Sequence, residues 1–277
     1  MSPPGGPKDG ARLRRESGSR PCQRESASCG ACCGVYNRTD LARGATLAAV
    51  RRSTRVLAAT PRTRDAFAAA ARTLAENGPR PLFPSVRVCA LLGFLDVEER
   101  RIGCLAHPAA TGGADLRDCG AYDAGTCESF LCPSASRLSE REAGIAEEAS
   151  GDWYLYGLVV TDVPFLRAAL DAVAHGAGTA IERRHLRDRP FRAALQRLLA
   201  LKEELAPGSE GLFGAFASGA ATSDSPGAPP GGVDPCDAIL TCIGADPRSG
   251  NDLDRLAPEV RRRLDRCVAA FPAPTPR

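Results

Sequence analysis

The residues in this chain best suited to chemistry are its cysteines. Ser28-Cys29-Gly-Ala-Cys32-Cys33-Gly34 sets three of them within five positions, and Cys89, Cys104, Cys119, Cys127 and Cys132 follow. Nine of the 12 cysteines lie at or before Cys132, whereas Cys236, Cys242 and Cys267 come after a long gap. In a reducing compartment that density points to metal ligation rather than to a disulfide framework. Thiolates suit zinc or an iron–sulfur cluster, both of which accept four cysteine ligands; magnesium and calcium prefer oxygen. Cys29, Cys32, Cys33, Cys89, Cys104, Cys119, Cys127 and Cys132 are the candidate metal ligands. They would fill two four-ligand sites, or one site with thiols to spare.

On a helical turn Cys29, Cys32 and Cys33 share one face and their thiolates converge on a common point. In an extended segment Cys32 and Cys33 point apart and serve different ligands. Gly30 and Gly34 permit the close backbone approach that a metal knuckle needs. The competing reading of any one of these thiols is a small buried hydrophobe, and that reading covers the scattered Cys236, Cys242 and Cys267. Cys22 lies in a tail-like segment and stays open as a ligand. His107, three residues after Cys104, either completes a mixed site or makes a structural hydrogen bond before Pro108. His175, beside Gly176, is explained by a helix end, and His185 reads as solvated on a charged face. The sequence has no phosphate-binding glycine loop, no Gly-x-Ser-x-Gly elbow and no His-Glu-x-x-His helix.

The elements that must position these thiols can be read in outline. Leu41, Leu47, Val50, Val56 and Leu57 recur at helical spacing, Pro61 interrupts, and a second helix runs from Thr63 to Glu76 before Asn77-Gly78-Pro79. Two short apolar runs, Cys89–Asp96 and Ile102–Pro108, flank a charged turn and predict a β-hairpin with Cys89 near its start and Cys104 on its return strand. The glycine-bearing stretch from 112 to 132 has little core of its own, and metal ligation is one way to hold it folded. Ser139-Glu-Arg-Glu142 fits a capping box. Asp162 and Pro164 open a helix that ends at Gly176, another covers about 180–205, and a last one runs from about Asp254 to Phe271.

The whole predicts a mainly α fold with a small irregular α+β cysteine-rich region. Residues 1–21 read as a disordered tail. Residues 22–206 read as one cysteine-cluster domain with its helical bundle, 207–234 as a flexible linker and 235–277 as a helical appendage. Hydrophobic residues make up 43% and charged residues 25%, ordinary for a soluble globular protein. A net charge of +3 imposes no polyanion partner. The longest apolar run, Trp153–Val160, is too short to cross a bilayer, and no secretory h-region is visible. A cytoplasmic protein without a membrane partner is the expectation.

The sequence resembles the YkgJ-type cysteine-cluster family, with its CxxCxxCC zinc- or iron-chelating domain. The resemblance rests on Cys29-Gly-Ala-Cys32-Cys33-Gly34, on Gly103-Cys104-Leu-Ala-His107-Pro108, on Asp115-Leu-Arg-Asp118 and on Cys127-Glu-Ser-Phe-Leu-Cys132. It covers roughly residues 22–135. The family motif carries a further cysteine a few residues upstream, where this chain has Cys22 seven positions before Cys29, so the fourth ligand stays open. The resemblance implies metal chelation and no particular reaction. Three functions compete. The leading one is a metal-binding protein with a structural or redox centre. The second is a metal-dependent enzyme that modifies a protein or peptide partner, which needs an open coordination position. The last is a zinc-stabilised nucleic-acid module, prompted by the basic tail and Arg261–Arg263.

Overall fold

A helix that is apolar all round must be surrounded, and Trp153–Val160 is the stretch that organises this molecule. The structure, a computed structural model, describes residues 21–84, 86–205, 234–243 and 250–273. In chain order the helices and strands are α1 (Arg43–Ala58), α2 (Arg64–Glu76), β1 (Leu92–Phe94), β2 (Ile102–Cys104), α3 (Pro108–Thr111), α4 (Ala124–Ser129) and α5 (Pro133–Arg137). There follow α6 (Glu140–Ser150), α7 (Trp153–Thr161), α8 (Val163–Ala177), α9 (Arg189–Leu199), α10 (Leu201–Leu205), α11 (Pro235–Cys242) and α12 (Gly250–Ala269). Among the described residues the fold is mainly helical with a two-stranded antiparallel sheet, as expected.

Local signals start most of these helices. Thr63 accepts a hydrogen bond from the Ala66 amide at the head of α2, and Ser139 and Glu142 form the reciprocal box at the head of α6. Asp162 accepts from the Phe165 amide to open α8, which runs past Gly176 and stops where Gly178 takes a left-handed conformation. The single helix expected over 180–205 is broken. A short 3-10 turn, Arg183–Arg187, gives way at Asp188, whose side chain caps α9 with Pro190 in its first turn. Proline has no amide hydrogen to bond back to the preceding turn and is favoured in the first turn of a helix, so it marks a new start here.

α7 divides the interior. Tyr156, Val159 and Val160 face a large core with Ile145, Phe165, Leu166, Phe191 and Leu195. Trp153, Tyr154 and Leu158 face a second core with Val35, Tyr36, Val50, Leu92, Phe94 and Ile102. A third, smaller core gathers Leu57, Phe67 and Leu74 from α1 and α2 with Leu91, Ala106 and Leu116. The hairpin and the segment after Cys29 are therefore mounted on α7 and on the α1–α2 pair. An ion pair lies inside the large core: Lys202 Nζ is 2.6 Å from Asp162 Oδ2, with both side chains almost completely covered.

The C-terminal helices, expected as an appendage, pack on α8 and α9: Cys236, Ile239, Val260 and Cys267 are buried in the same large core as Phe165 and Leu195. Asp234, expected inside the linker, accepts from the Cys236 amide and caps α11. The rest of the expected linker, and the expected tail apart from Pro21, lie outside the described residues. His185 is half-buried rather than freely solvated. Its Nδ1 accepts from the Glu182 amide, and its ring packs edge-on against Phe271 at 4.8 Å. Among the described residues no helix is long and apolar enough to cross a membrane.

Candidate functional site

The segment carrying the first cysteines is a small hairpin of its own. Gln23 and Ser28 form an isolated antiparallel bridge, and the Cys29 amide donates to the Cys22 carbonyl at 2.9 Å. Cys22 and Cys29 are thus directly opposed, and opposed residues of an antiparallel pair project to the same face about 4.5–5.5 Å apart. The hairpin is anchored on both sides. Arg24, almost completely buried, reaches Glu140 at 2.5 Å and Glu147 at 2.6 Å. Tyr156 donates to the Pro21 carbonyl, and the buried Ser28 hydroxyl accepts from the Ile102 amide at 2.7 Å.

Cys32 and Cys33 sit on a 3-10 turn, Ala31–Cys33, that closes at Gly34 with φ +78°. Any side chain at Gly34 would also meet the Arg87 carbonyl at 2.8 Å, so this position requires glycine twice over. Gly30 is pressed against Ile102 and Leu92 of the β-hairpin, which brings the turn onto β1 and β2. Successive residues of a 3-10 turn are about 120° apart. Cys32 and Cys33 therefore project in different directions from this turn, as an adjacent pair must.

Cys32 and Cys132 influence each other's ionisation most strongly, and Cys29 is the next charge Cys32 faces. Cys29 in turn faces Cys132 and Cys22. Cys33 turns the other way and faces Cys89, Cys104 and Cys127, with Cys29 a weaker neighbour. Backbone geometry supports this second group. The Cys89 amide donates to the Cys33 carbonyl at 2.9 Å, Cys104 pairs with Leu92 in the hairpin, and the Leu105 amide donates to the Leu91 carbonyl. Cys127 comes from α4, which Asp123 caps through the Thr126 amide. The electrostatic neighbours of these thiols form two overlapping groups, Cys22, Cys29, Cys32 and Cys132, and Cys33, Cys89, Cys104 and Cys127, with Cys29 and Cys33 acting on members of both.

The electrostatics differ between members. Burial pushes the Cys29 thiol up, against a hydrogen bond from the Ala31 amide at 3.4 Å. Burial followed by its three thiol neighbours pushes Cys33 up, and burial first takes Cys104 up to about 11. Cys132 is held below the ordinary thiol range. The Cys32 thiol does most of this, opposed by burial and helped by the Ser134 hydroxyl and the amides that open α5. Thiols that resist ionisation in their own environment, as Cys29, Cys33 and Cys104 do, gain most from a nearby cation, which stabilises the thiolate.

Of the other candidates, Cys119 lies apart: its sulfur donates to the Arg64 carbonyl at 3.4 Å, and Arg64, Asp118 and Asp65 are the charges it faces. His107 caps α3, its Nδ1 accepting from the Ala109 amide at 3.1 Å, which is the structural alternative raised for it. Arg261, Arg262 and Arg263 make ion pairs within the chain: Arg261 with Asp234, Arg262 with Glu259, and Arg263 with Glu204 and Glu259. The C-terminal basic run that prompted a nucleic-acid reading is thereby engaged internally.

Among the described residues no group of three or more His, Cys, Asp or Glu side chains has the geometry to hold a metal ion. Each neighbourhood would have to contract until its sulfurs lie about 2.3 Å from one point. Thiols have no reason to close in this way without a cation, since like charges repel and buried thiolates lose hydration. The donor chemistry nonetheless fits: four sulfurs, with no carboxylate or imidazole among them, suit zinc or an iron–sulfur cluster. No family model, curated protein or solved structure matches the chain.

Proposed function

We propose that this chain is a thiolate metal-binding protein, carrying zinc or an iron–sulfur cluster on cysteines of the segment 22–132. The observation that carries the reading is the gathering of cysteines distant in sequence: Cys22 lies opposite Cys29, the Cys89 amide donates to the Cys33 carbonyl, and Cys132 and Cys127, 100 and 94 positions on, are electrostatic neighbours of Cys32 and Cys33. The segment from 105 to 132 is held together by short helices and turns, and ligation would tie its two terminal cysteines to the β-hairpin and the 3-10 turn. Zinc would supply a fixed tetrahedral link, and an iron–sulfur cluster would add one-electron chemistry. The protein's own groups prepare the site. Gly30 and Gly34 let the turn approach the hairpin, Ser28 fixes the turn to Ile102, and Ser134 with the start of α5 favours the Cys132 thiolate. The reading agrees with the YkgJ-type resemblance.

The test is metal content and absorption of the full chain purified without oxygen. Iron with acid-labile sulfide and a broad visible absorption identifies an iron–sulfur centre. Stoichiometric zinc in a colourless sample identifies zinc. A metal-free protein that takes up neither on reconstitution ends the proposal.

A further inference from the structure

Of the strand registers among the described residues, the small hairpin at 22–29 alone sets two cysteines opposite each other. Gln23 and Ser28 form the bridge, and the next pair out is Cys22 with Cys29, joined by the 2.9 Å bond from the Cys29 amide to the Cys22 carbonyl. Directly opposed residues of an antiparallel pair have Cα atoms about 4.5–5.5 Å apart, within the roughly 4.4–6.8 Å that a disulfide spans. Their Cβ atoms lie on one face and need to close by only about 1 Å to reach the usual disulfide separation. We infer that Cys22 and Cys29 are a thiol pair that closes into a cross-strand disulfide under oxidising conditions and clasps the hairpin covalently.

The chain on both sides of the pair is fixed, which holds the two sulfurs near each other. Tyr156 donates to the Pro21 carbonyl, the Gln23 side-chain amide donates to the Ile102 carbonyl at 3.3 Å, and the Ile102 amide returns a bond to the Ser28 hydroxyl. Arg24 ties the same hairpin to Glu140 and Glu147. Both cysteines are half-buried, so each keeps some contact with solvent. The step is thiol–disulfide exchange with a small disulfide, oxidised glutathione. One cysteine thiolate attacks a glutathione sulfur, breaks its S–S bond and expels one glutathione thiolate. The second cysteine then attacks the mixed disulfide at the protein sulfur and expels the other. Two cysteine thiols are oxidised, one glutathione disulfide is reduced to two thiols, and the two cysteine protons pass to the glutathione thiolates. The inference does not rest on the metal reading. A cation held at either sulfur would block the exchange, so the pair is assayed in chelator-treated protein.

The reduced, chelator-treated full chain is equilibrated without oxygen against graded ratios of reduced and oxidised glutathione, quenched with acid and mapped by mass spectrometry after tryptic digestion. Cleavage after Arg24 separates the two cysteines, so their disulfide shows as a link between the peptide ending at Arg24 and the peptide 25–38, with fragmentation assigning the bond among Cys29, Cys32 and Cys33. The expected result is a Cys22–Cys29 link in the folded chain. Unfolding in urea should make that link require a mixture about tenfold or more oxidising, the factor by which a native cross-link favours the fold. Cys29 bonded to Cys32 or to any other cysteine, Cys22 carrying only glutathione, both thiols persisting at every ratio, or an unchanged requirement in urea overturns the inference. Metal content is measured on the untreated chain, so a failed clasp leaves the metal reading standing and a metal-free chain leaves the clasp standing.

Discussion

Gly157→Ala should loosen the cysteine segment without touching a cysteine. Gly157 lies inside α7, under the ring of Tyr36, three residues after Cys33. An alanine Cβ there would fall within van der Waals contact of Tyr36 Oη and only 2.8 Å from Cζ. Tyr36 cannot swing aside cheaply, because it is fully buried and its hydroxyl donates to the Tyr154 carbonyl at 2.9 Å. Overpacking of this kind costs about 1–3 kcal/mol, and loss of the hydrogen bond adds about 1 kcal/mol. Replacing a mid-helix glycine by alanine returns roughly 0.8–1 kcal/mol of helix propensity. The balance is a destabilisation of about 1–3 kcal/mol, read as a lowered urea midpoint with unchanged slope. Tyr36→Phe removes the closest atom, so the double variant should lose less than the sum of the single losses. A Gly157→Ala protein as stable as the parent, or strict additivity with Tyr36→Phe, would refute the packing argument.

Three further outcomes are expected. Ser28→Ala leaves the buried Ile102 amide without its acceptor and should cost about 1–3 kcal/mol in denaturant melts; a neutral result would show that this bond does not fasten the turn to the hairpin. Lys202→Met strands the Asp162 carboxylate in the core and should cost about 3–5 kcal/mol, with the loss reduced when Asp162→Asn is added. For Glu142, burial pushes the carboxyl up, but Arg167 and the Ser139 amide and hydroxyl outweigh it and leave the folded value below the ordinary range. That contribution is present above the ordinary carboxylate pKa and lost as pH falls through the folded one. The stability gap between wild type and Arg167→Ala should therefore narrow on acidification below the ordinary range, and a gap constant down to full protonation of Glu142 would contradict this assignment.

What was legible in the sequence was local. The Ser139–Glu142 box, the helix start at Thr63, the Asp162 cap and the hairpin around 96–101 each depend on residues a few positions apart, and all appear in the structure. Asp188 with Pro190, and Asp234 with Pro235, carry the same kind of start signal, yet each was absorbed into a longer segment of different character. The candidate site was harder because it is assembled across the chain. Sequence density marked out the thiols from Cys29 to Cys132, but which way each sulfur turns depends on the 3-10 geometry at Ala31–Cys33 and on contacts such as that of Cys119 with Arg64. Cys22 was obscured by its tail-like neighbours. The six residues between it and Cys29 are long enough to turn back, and only the Gln23–Ser28 bridge shows that they do.

The central claim is that these sulfurs serve a cation, and the most direct measurement is the number of thiols in the anaerobically purified full chain that become reactive only after a chelator strips it. The account predicts a jump on chelation that includes Cys32, Cys33, Cys127 and Cys132 together. An identical set of reactive thiols before and after treatment, in a protein carrying no iron or zinc, would contradict it.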